Sequence, residues 1–420
     1  MAEIAPGRGQ PQPAHSVHVD PADQMAFLDR HLLEPEQGFV CEGGAKLKLL
    51  LGATGAGKTH FLAAAMEQGR ARGFLTVGID ASRVSLAGFD HLYRAIAANL
   101  DLEDMARRFV LSTLRAAGYH DLVLQAGHTL AGWCEATSHE AGPLRVRLQE
   151  ELHRELERNA DLDVGYAIGL ARWCEQVAWG QPPEDPMAEG LTEQWLRGEK
   201  VGQRDCNRLR LRRCLDRFSA RLWLRSLVHF VRQSGFPGLV VTVDNLGVLL
   251  ERPRPTPHLS APEQGVPPAP SPPPHYTPQK IADFYEMLRT LVDEMGLLPG
   301  FLLLLAAPPE LLTDERHGIP SYVALAERLR TEVDTVELNR FADTIVLERL
   351  WATDPGAGRQ LAERVAESVL PGPDAGLRER AVAAAMAQWQ VRDVDVSAVR
   401  RSVLAVLRAA EGGAESEPHG

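Results

Sequence analysis

KLKLLLGATGAGKTHFL, residues 46–62, decides the fold. Its centre is a complete GxxxxGKT pattern: Gly52, Ala53, Thr54, Gly55, Ala56, Gly57, Lys58 and Thr59. The apolar run Leu49, Leu50, Leu51 comes before it. Phe61, Leu62, Ala65 and Met66 follow at helical spacing, and Gly73 stops the pattern. Strand, glycine-rich loop and helix form the setting in which this pattern binds phosphate. The glycines let the backbone turn so that N–H groups converge on phosphate oxygens, and the new helix adds the positive end of its dipole. Residues 52–59 together with His60 are the expected binding segment, with Lys58 at the β- and γ-phosphates. The Thr59 hydroxyl is expected on Mg²⁺, so ATP and Mg²⁺ are the expected ligands.

Outward from this loop, further short apolar runs read as buried parallel strands. They are FLTVGID (residues 74–80), GLVVTV ending in Asp244 (residues 238–244), FLLLLA (residues 301–306) and DTIVL (residues 343–347). Residues 21–35 read as a helix that docks Met25, Phe27, Leu28 and Leu32, residues 89–100 as another, and residues 281–295 as a third. About 130 residues between the second and third strands carry helical periodicity with hardly any strand signal. Leu148, Leu152 and Leu156 form an apolar stripe there, beside an expected Glu150–Arg154 pair. LAGWCE (residues 130–135) recurs as LARWCE (residues 170–175), which raises a duplicated helical hairpin as one option and coincidence as the other. Eight arginines from Arg204 to Arg225 read as an amphipathic helix balancing acidic neighbours, in preference to a nucleic-acid or partner-binding helix.

The pattern predicts an α/β parallel-sheet core of the P-loop NTPase kind, with a long helical insertion and a small C-terminal helical lid. The expected partition is a disordered tail over residues 1–20, core over 21–100, helical insertion over 101–230 and core again over 231–350. Within that last stretch, residues 253–278 form a Pro-rich surface loop. A lid over 351–411 and a tail over 412–420 complete it.

Bulk composition narrows the partners. The 420 residues suffice for two or three domains, and no apolar run approaches the length of a membrane span. No basic-then-apolar leader opens the chain. Five cysteines without CxxC spacing argue against a disulfide framework or a zinc site and fit a cytoplasmic protein. A net charge of −11 disfavours a whole-surface grip on nucleic acid, leaving only a local basic groove for DNA.

The second half of a nucleotide site is an apolar strand ending in an acid that serves Mg²⁺. Asp244 fits. In hydrolytic relatives the next residue is a Glu that polarises the attacking water, and here it is Asn245. An amide orients a water but cannot take its proton at neutral pH. The third strand runs into Ala307, Pro308 and Pro309, which offer no polar side chain to sense a γ-phosphate; Glu310 could approach the site or serve the turn. Arg316, Arg328 and Arg330 are candidates for charge stabilisation from a neighbouring subunit, and Arg400 and Arg401 for phosphate contact within the chain.

With both halves placed, the chain resembles the ATP-binding proteins of BREX phage-defence systems, the BrxC/BrxD-type family within the AAA+ class. The carrying segments are KLKLLLGATGAGKTHFL, WLRGEK (residues 195–200), GFPGLVVTVDN (residues 235–245) and PGFLLLLAAPPELLTDERHGIPSYVALAERL (residues 299–329). The resemblance implies an AAA+ fold and action beside helicase, nuclease or methyltransferase partners. It also makes a homo-oligomer with sites between subunits an option. Family members usually carry Asp-Glu at the second motif and Gly-Thr-Pro after the third strand. This chain departs at Asn245 and at residues 307–309. The expected function is an ATP-binding switch or weak ATPase, with slow hydrolysis that Asn245→Glu would raise. A nucleotide-binding scaffold without useful hydrolysis and a small-molecule P-loop kinase are the alternatives.

Overall fold

Each of the five apolar runs becomes a strand: β1 (Ala45–Leu51), β2 (Leu75–Asp80), β3 (Leu239–Asp244), β4 (Phe301–Ala307) and β5 (Thr344–Val346). They form one parallel sheet in the order β2-β3-β4-β1-β5. The computed structural model describes residues 19–124, 127–180, 190–209, 211, 213–251, 274–329, 342–370, 375–389 and 397–414. Residues 1–18 and 415–420 of the expected tails, most of the Pro-rich loop, and Arg210, Arg212 and Arg330 lie outside the described residues.

The central strands β1, β3 and β4 are largely apolar because both faces are covered, whereas the edge strands β2 and β5 are partly exposed. Successive side chains point to opposite faces. Leu303 and Leu305 pack with the helical insertion, whereas Leu302 and Leu304 pack with Phe61 and Leu62 of the helix Lys58–Ala71. Lys48 is the exception, 2% exposed inside β1. Its ammonium donates to the Ala342 carbonyl at 2.6 Å, and Lys46 pairs with Asp343 at 2.6 Å. The two lysines thus hold the chain entering β5, whose expected end at residue 347 is shortened because Leu347 already opens the helix Leu347–Thr353.

Residues 21–35 differ from the single helix expected. Asp20 takes the N–H groups of Met25 and Ala26 at 2.7 and 2.8 Å, and Ala22 and Asp23 adopt left-handed backbone before it. The segment therefore breaks into Pro21–Asp23, Gln24–Leu28 and the wide turn Asp29–Leu33. Met25, Leu28 and Leu32 are buried as expected, and the half-buried Phe27 ring lies 4.3 Å from His31.

Among the described residues, the stretch between Phe89–Ala97 and β3 forms helices and loops without a strand, the longest helix being Val164–Trp179. Its centre is aromatic: Trp223 packs on Tyr93, Tyr166 and Trp195 with ring centroids 5.6, 5.3 and 4.4 Å away. The WLRGEK segment fastens this insertion to the core. Trp195 donates to the Arg213 carbonyl at 2.8 Å, Arg197 to Ala97 at 2.6 Å, and Arg94 to Gly198 at 2.9 Å. Leu130 and Cys134 of LAGWCE, and Leu170 and Cys174 of LARWCE, are all buried in the same core.

Two local expectations are corrected here. Arg154 pairs with Glu151 and Glu155 rather than Glu150, because the chain widens into a π-turn over His153–Glu157 and rotates the side chain away. The arginine stretch is not one helix. It forms the helices Gln203–Arg208 and Ala220–Gln233, and the described residues between them are not helical. Arg208, Arg221 and Arg225 pair with Asp205, Glu294 and Asp161, in line with the balancing role.

Helices Pro355–Val369, Ala375–Trp389 and Ala398–Ala414 follow the sheet, pack on one another and share a buried apolar cluster with Leu302 and Leu304. No described helix is long and apolar enough to cross a membrane.

Candidate nucleotide site

Parallel pairing brings the carboxyl ends of the strands to one edge. Leu51 lies opposite Ala307, and Asp80 opposite Asp244. From β1 the chain crosses toward the β2 edge, and it returns at the end to place β5 on the other side of β1. Such a reversal opens a crevice at the end of the central strand, where ligands of open α/β sheets bind. Residues 52–57 occupy that position.

Gly55 and Gly57 have φ of +83° and +98°, which side-chain-bearing residues rarely adopt, and Gly57 leads directly into the helix Lys58–Ala71. Lys58 turns back over the loop and donates to the Gly52 and Ala53 carbonyls at 2.5 and 3.0 Å. Burial pulls its pKa below the usual lysine value, against the opposing charges of Asp244, Glu348 and Glu310. The charges of three carboxylates therefore act on one partly desolvated ammonium.

Thr59 donates to the Asp244 carboxylate at 2.5 Å, joining the two expected Mg²⁺ residues. Both offer the hard oxygen donors that Mg²⁺ takes. Among the described residues there is no group of three or more His, Cys, Asp or Glu that could hold a metal ion. His60 is half-buried on the first turn of the helix.

Asn245 sits in left-handed backbone with φ of +62°. Its N–H donates to Asp244 at 2.7 Å, and its side-chain amide donates to Asp80 Oδ1 at 2.9 Å. Asp80 also accepts from Ser82 N–H and Oγ at 2.9 and 2.6 Å. Burial raises its pKa, but the hydrogen bonds from Ser82 and Asn245 outweigh that and hold it below the usual range. Glu310 lies exposed in the turn Pro309–Leu312, near enough for its charge to act on Lys58.

The candidate arginines separate. Arg328 forms a two-pronged pair with Asp293 and also donates to the Ala324 carbonyl at 2.6 Å, so it is engaged within its own chain. Arg316 is exposed in the turn after β4. Arg400 instead lies against the loop: a Cβ added at Gly55 would fall 2.4 Å from Arg400 Cβ and 2.6 Å from its Cδ.

Two residues of this site were not singled out in the sequence. Asp80 reads in the sequence as the end of a strand, although a polar residue at the carboxyl end of an apolar run is itself a signal. Glu348 follows β5, and its carboxylate accepts from the Ala53 N–H of the loop. Trp351 on the same helix donates to the Ala56 carbonyl at 3.2 Å.

A parallel sheet in this order, with a glycine-rich loop between β1 and a helix and an acid at the end of β3, defines an α/β protein with a P-loop NTPase-like core. A family model described as BREX system ATP-binding protein BrxC/D matches residues 29–254 and 279–369, and the chain belongs to that family. The unmatched residues between those segments coincide with the Pro-rich stretch. No curated protein and no solved structure matches the chain.

Proposed function

We propose that this BREX protein is an AAA+-type ATP-binding switch with weak ATPase activity, acting beside partner proteins of the defence system. The observation that carries the reading is the Thr59–Asp244 hydrogen bond beneath the GATGAGKT loop. A hydroxyl and a carboxylate in contact there support the reading that Thr59 and Asp244 would together hold Mg²⁺. Bound there, Mg²⁺ would neutralise phosphate charge. Loop N–H groups and Lys58 would hold the phosphates, and Arg400 on the C-terminal helices would reach them from above as part of a lid. Helicase, nuclease or methyltransferase proteins are the proposed partners, with DNA reached through them or through a local basic surface. Self-association is part of the proposal, although Arg328 would have to leave Asp293 to act on a neighbouring subunit.

The reading is tested by calorimetry of MgATP against wild type and Lys58→Ala, followed by phosphate release with and without DNA. Binding abolished in the variant and slow release in wild type are expected. Wild-type affinity in Lys58→Ala would sink it. A second reading, a scaffold that holds ATP without turnover, is favoured by Asn245 at the position of the usual Glu. Phosphate release that stays at background with every partner added would select it.

A further inference from the structure

Asn245 leaves no carboxylate at the position after Asp244, yet the structure supplies one on the neighbouring strand. Asp80 ends β2, in register with Asp244 at the end of β3, and Ala81 N–H donates to the Asp244 carbonyl at 3.0 Å. The left-handed backbone of Asn245 turns its amide toward β2, where it meets Asp80 Oδ1 at 2.9 Å. A continuous hydrogen-bonded chain results: Thr59 to Asp244, Asp244 to the Asn245 N–H, and the Asn245 side chain to Asp80. Ser82 fixes the same Asp80 oxygen through its N–H and hydroxyl. The other oxygen, Oδ2, sits 3.3 Å from the exposed guanidinium of Arg83 and retains its remaining lone pairs.

We propose that Asp80, positioned by Asn245, is the carboxylate that activates the attacking water in this chain. The acid stands at the end of β2, and the amide that orients it stands just after β3. The inference rests on the ATP-binding reading above. In the step, the water oxygen bonds to the γ-phosphorus while the bond from that phosphorus to the bridging oxygen breaks. ADP leaves with the electron pair, and the proton lost by the water passes to Asp80 and on to solvent. Asp80 is the catalytic residue in this account, and Asn245 is a positioning residue.

The test uses the full chain as wild type, Asp80→Asn, Asn245→Glu and the double exchange Asp80→Asn/Asn245→Glu. Three quantities are read: affinity for a slowly hydrolysed ATP analogue, phosphate release, and whether protein loaded with ATP and desalted carries ATP or ADP. Asp80→Asn should keep its affinity, retain ATP uncleaved, and lose about 10²-fold or more in phosphate release. The double exchange should recover at least about tenfold of that loss, because a carboxylate and an amide again face each other. Asn245→Glu alone should give no gain, since it sets two carboxylates in contact.

Wild-type turnover in Asp80→Asn overturns the proposal. So does a gain from Asn245→Glu alone, or a collapse confined to Glu310→Gln. If wild type binds ATP but never releases phosphate, this proposal falls while the binding reading stands; if it does not bind ATP, both fall. Should Asp80→Asn fail to fold, Asn245→Ala carries the test. It removes the donor but keeps the acid, so turnover must drop at unchanged affinity, and unchanged turnover refutes the proposal.

Discussion

Replacing Glu348 by Gln should tighten ATP binding. The Glu348 carboxylate accepts from the Ala53 N–H, lies 3.5 Å from where a Cβ of Gly52 would stand, and acts on Lys58 through its charge. A phosphate oxygen needs that same N–H and that same ammonium. Nucleotide must therefore displace an anion already in place. A hydrogen bond to a charged acceptor is worth about 1.5–3 kcal/mol net, a neutral one about 0.5–1.5 kcal/mol. Gln keeps the shape and an acceptor but loses the charge, so the obstacle falls by about 1–1.5 kcal/mol, or about five- to tenfold in affinity. Calorimetric titration of wild type and Glu348→Gln with MgATP and with MgADP measures this directly. A weaker affinity in Glu348→Gln would refute the reasoning and would mean that Glu348 supports bound nucleotide instead of competing with it.

Other substitutions move in different directions. Lys58→Ala should weaken ATP binding by about 10²-fold or more, because it removes two phosphate contacts of about 1.5–3 kcal/mol each and leaves Asp244, Glu348 and Glu310 unopposed; wild-type affinity by calorimetry would contradict it. Gly169→Ala would set a Cβ 2.2 Å from the buried Trp195 ring, so a loss of about 1–3 kcal/mol is expected in denaturant melts, and an unchanged midpoint would show that the insertion yields there. Asp90, bonded by His91 and Arg94, has its pKa lowered from 3.8 to about 2, so its contribution is present above about pH 4 and is lost as pH falls through about 2. Asp90→Asn should then destabilise by about 1–2 kcal/mol at neutral pH, with the difference from wild type closing in melts between about pH 4 and 2. Arg328→Ala should leave ATP affinity unchanged, and mass photometry with ATP should show reduced self-association if this arginine serves a neighbouring subunit.

The sheet was legible because its central strands are buried on both faces and are therefore largely apolar, as in GLVVTV and FLLLLA. The loop was legible because positive φ at Gly55 and Gly57 demands glycine and leaves a pattern in the letters. What surrounds the loop was harder to read. Glu348 reaches it from a helix 295 residues further along, and nothing local in LERL marks it as part of a phosphate site, whereas Arg400 was already a candidate for phosphate contact and lies against Gly55. Asp80 was hidden for a different reason. Its partner Asn245 is 165 residues away, and the meaning of the pair lies in strand order, which sets β2 beside β3. The breaks in residues 21–35 and after Leu152 were illegible because apolar spacing of three or four does not distinguish an α-turn from a 3₁₀- or π-turn.

The contacts around the loop also bear on how nucleotide would be sensed. Ala53 donates to Glu348, the Thr54 carbonyl accepts from the Ser397 N–H at 3.4 Å, Arg400 lies over Gly55, and the Ala56 carbonyl accepts from Trp351. Four successive loop residues are touched by side chains or backbone from beyond β5. The core itself meets the loop through Lys58 and, at 3.2 Å, through the Gly52 N–H on the Ala307 carbonyl. A phosphate entering the loop cannot take the Ala53 N–H without releasing Glu348, and Glu348 shares a short helix with Trp351, whose ring packs 5.8 Å from Trp389 in the C-terminal helices. Ligands shift an equilibrium only by their differential affinity for its two states. Here the differential has an identifiable source: the loop donors serve either the carboxylate of the C-terminal segment or the phosphates. That competition makes the C-terminal helices the part of the chain whose position should report nucleotide, and a probe on Trp389 should respond to ATP in wild type and respond less in Glu348→Gln.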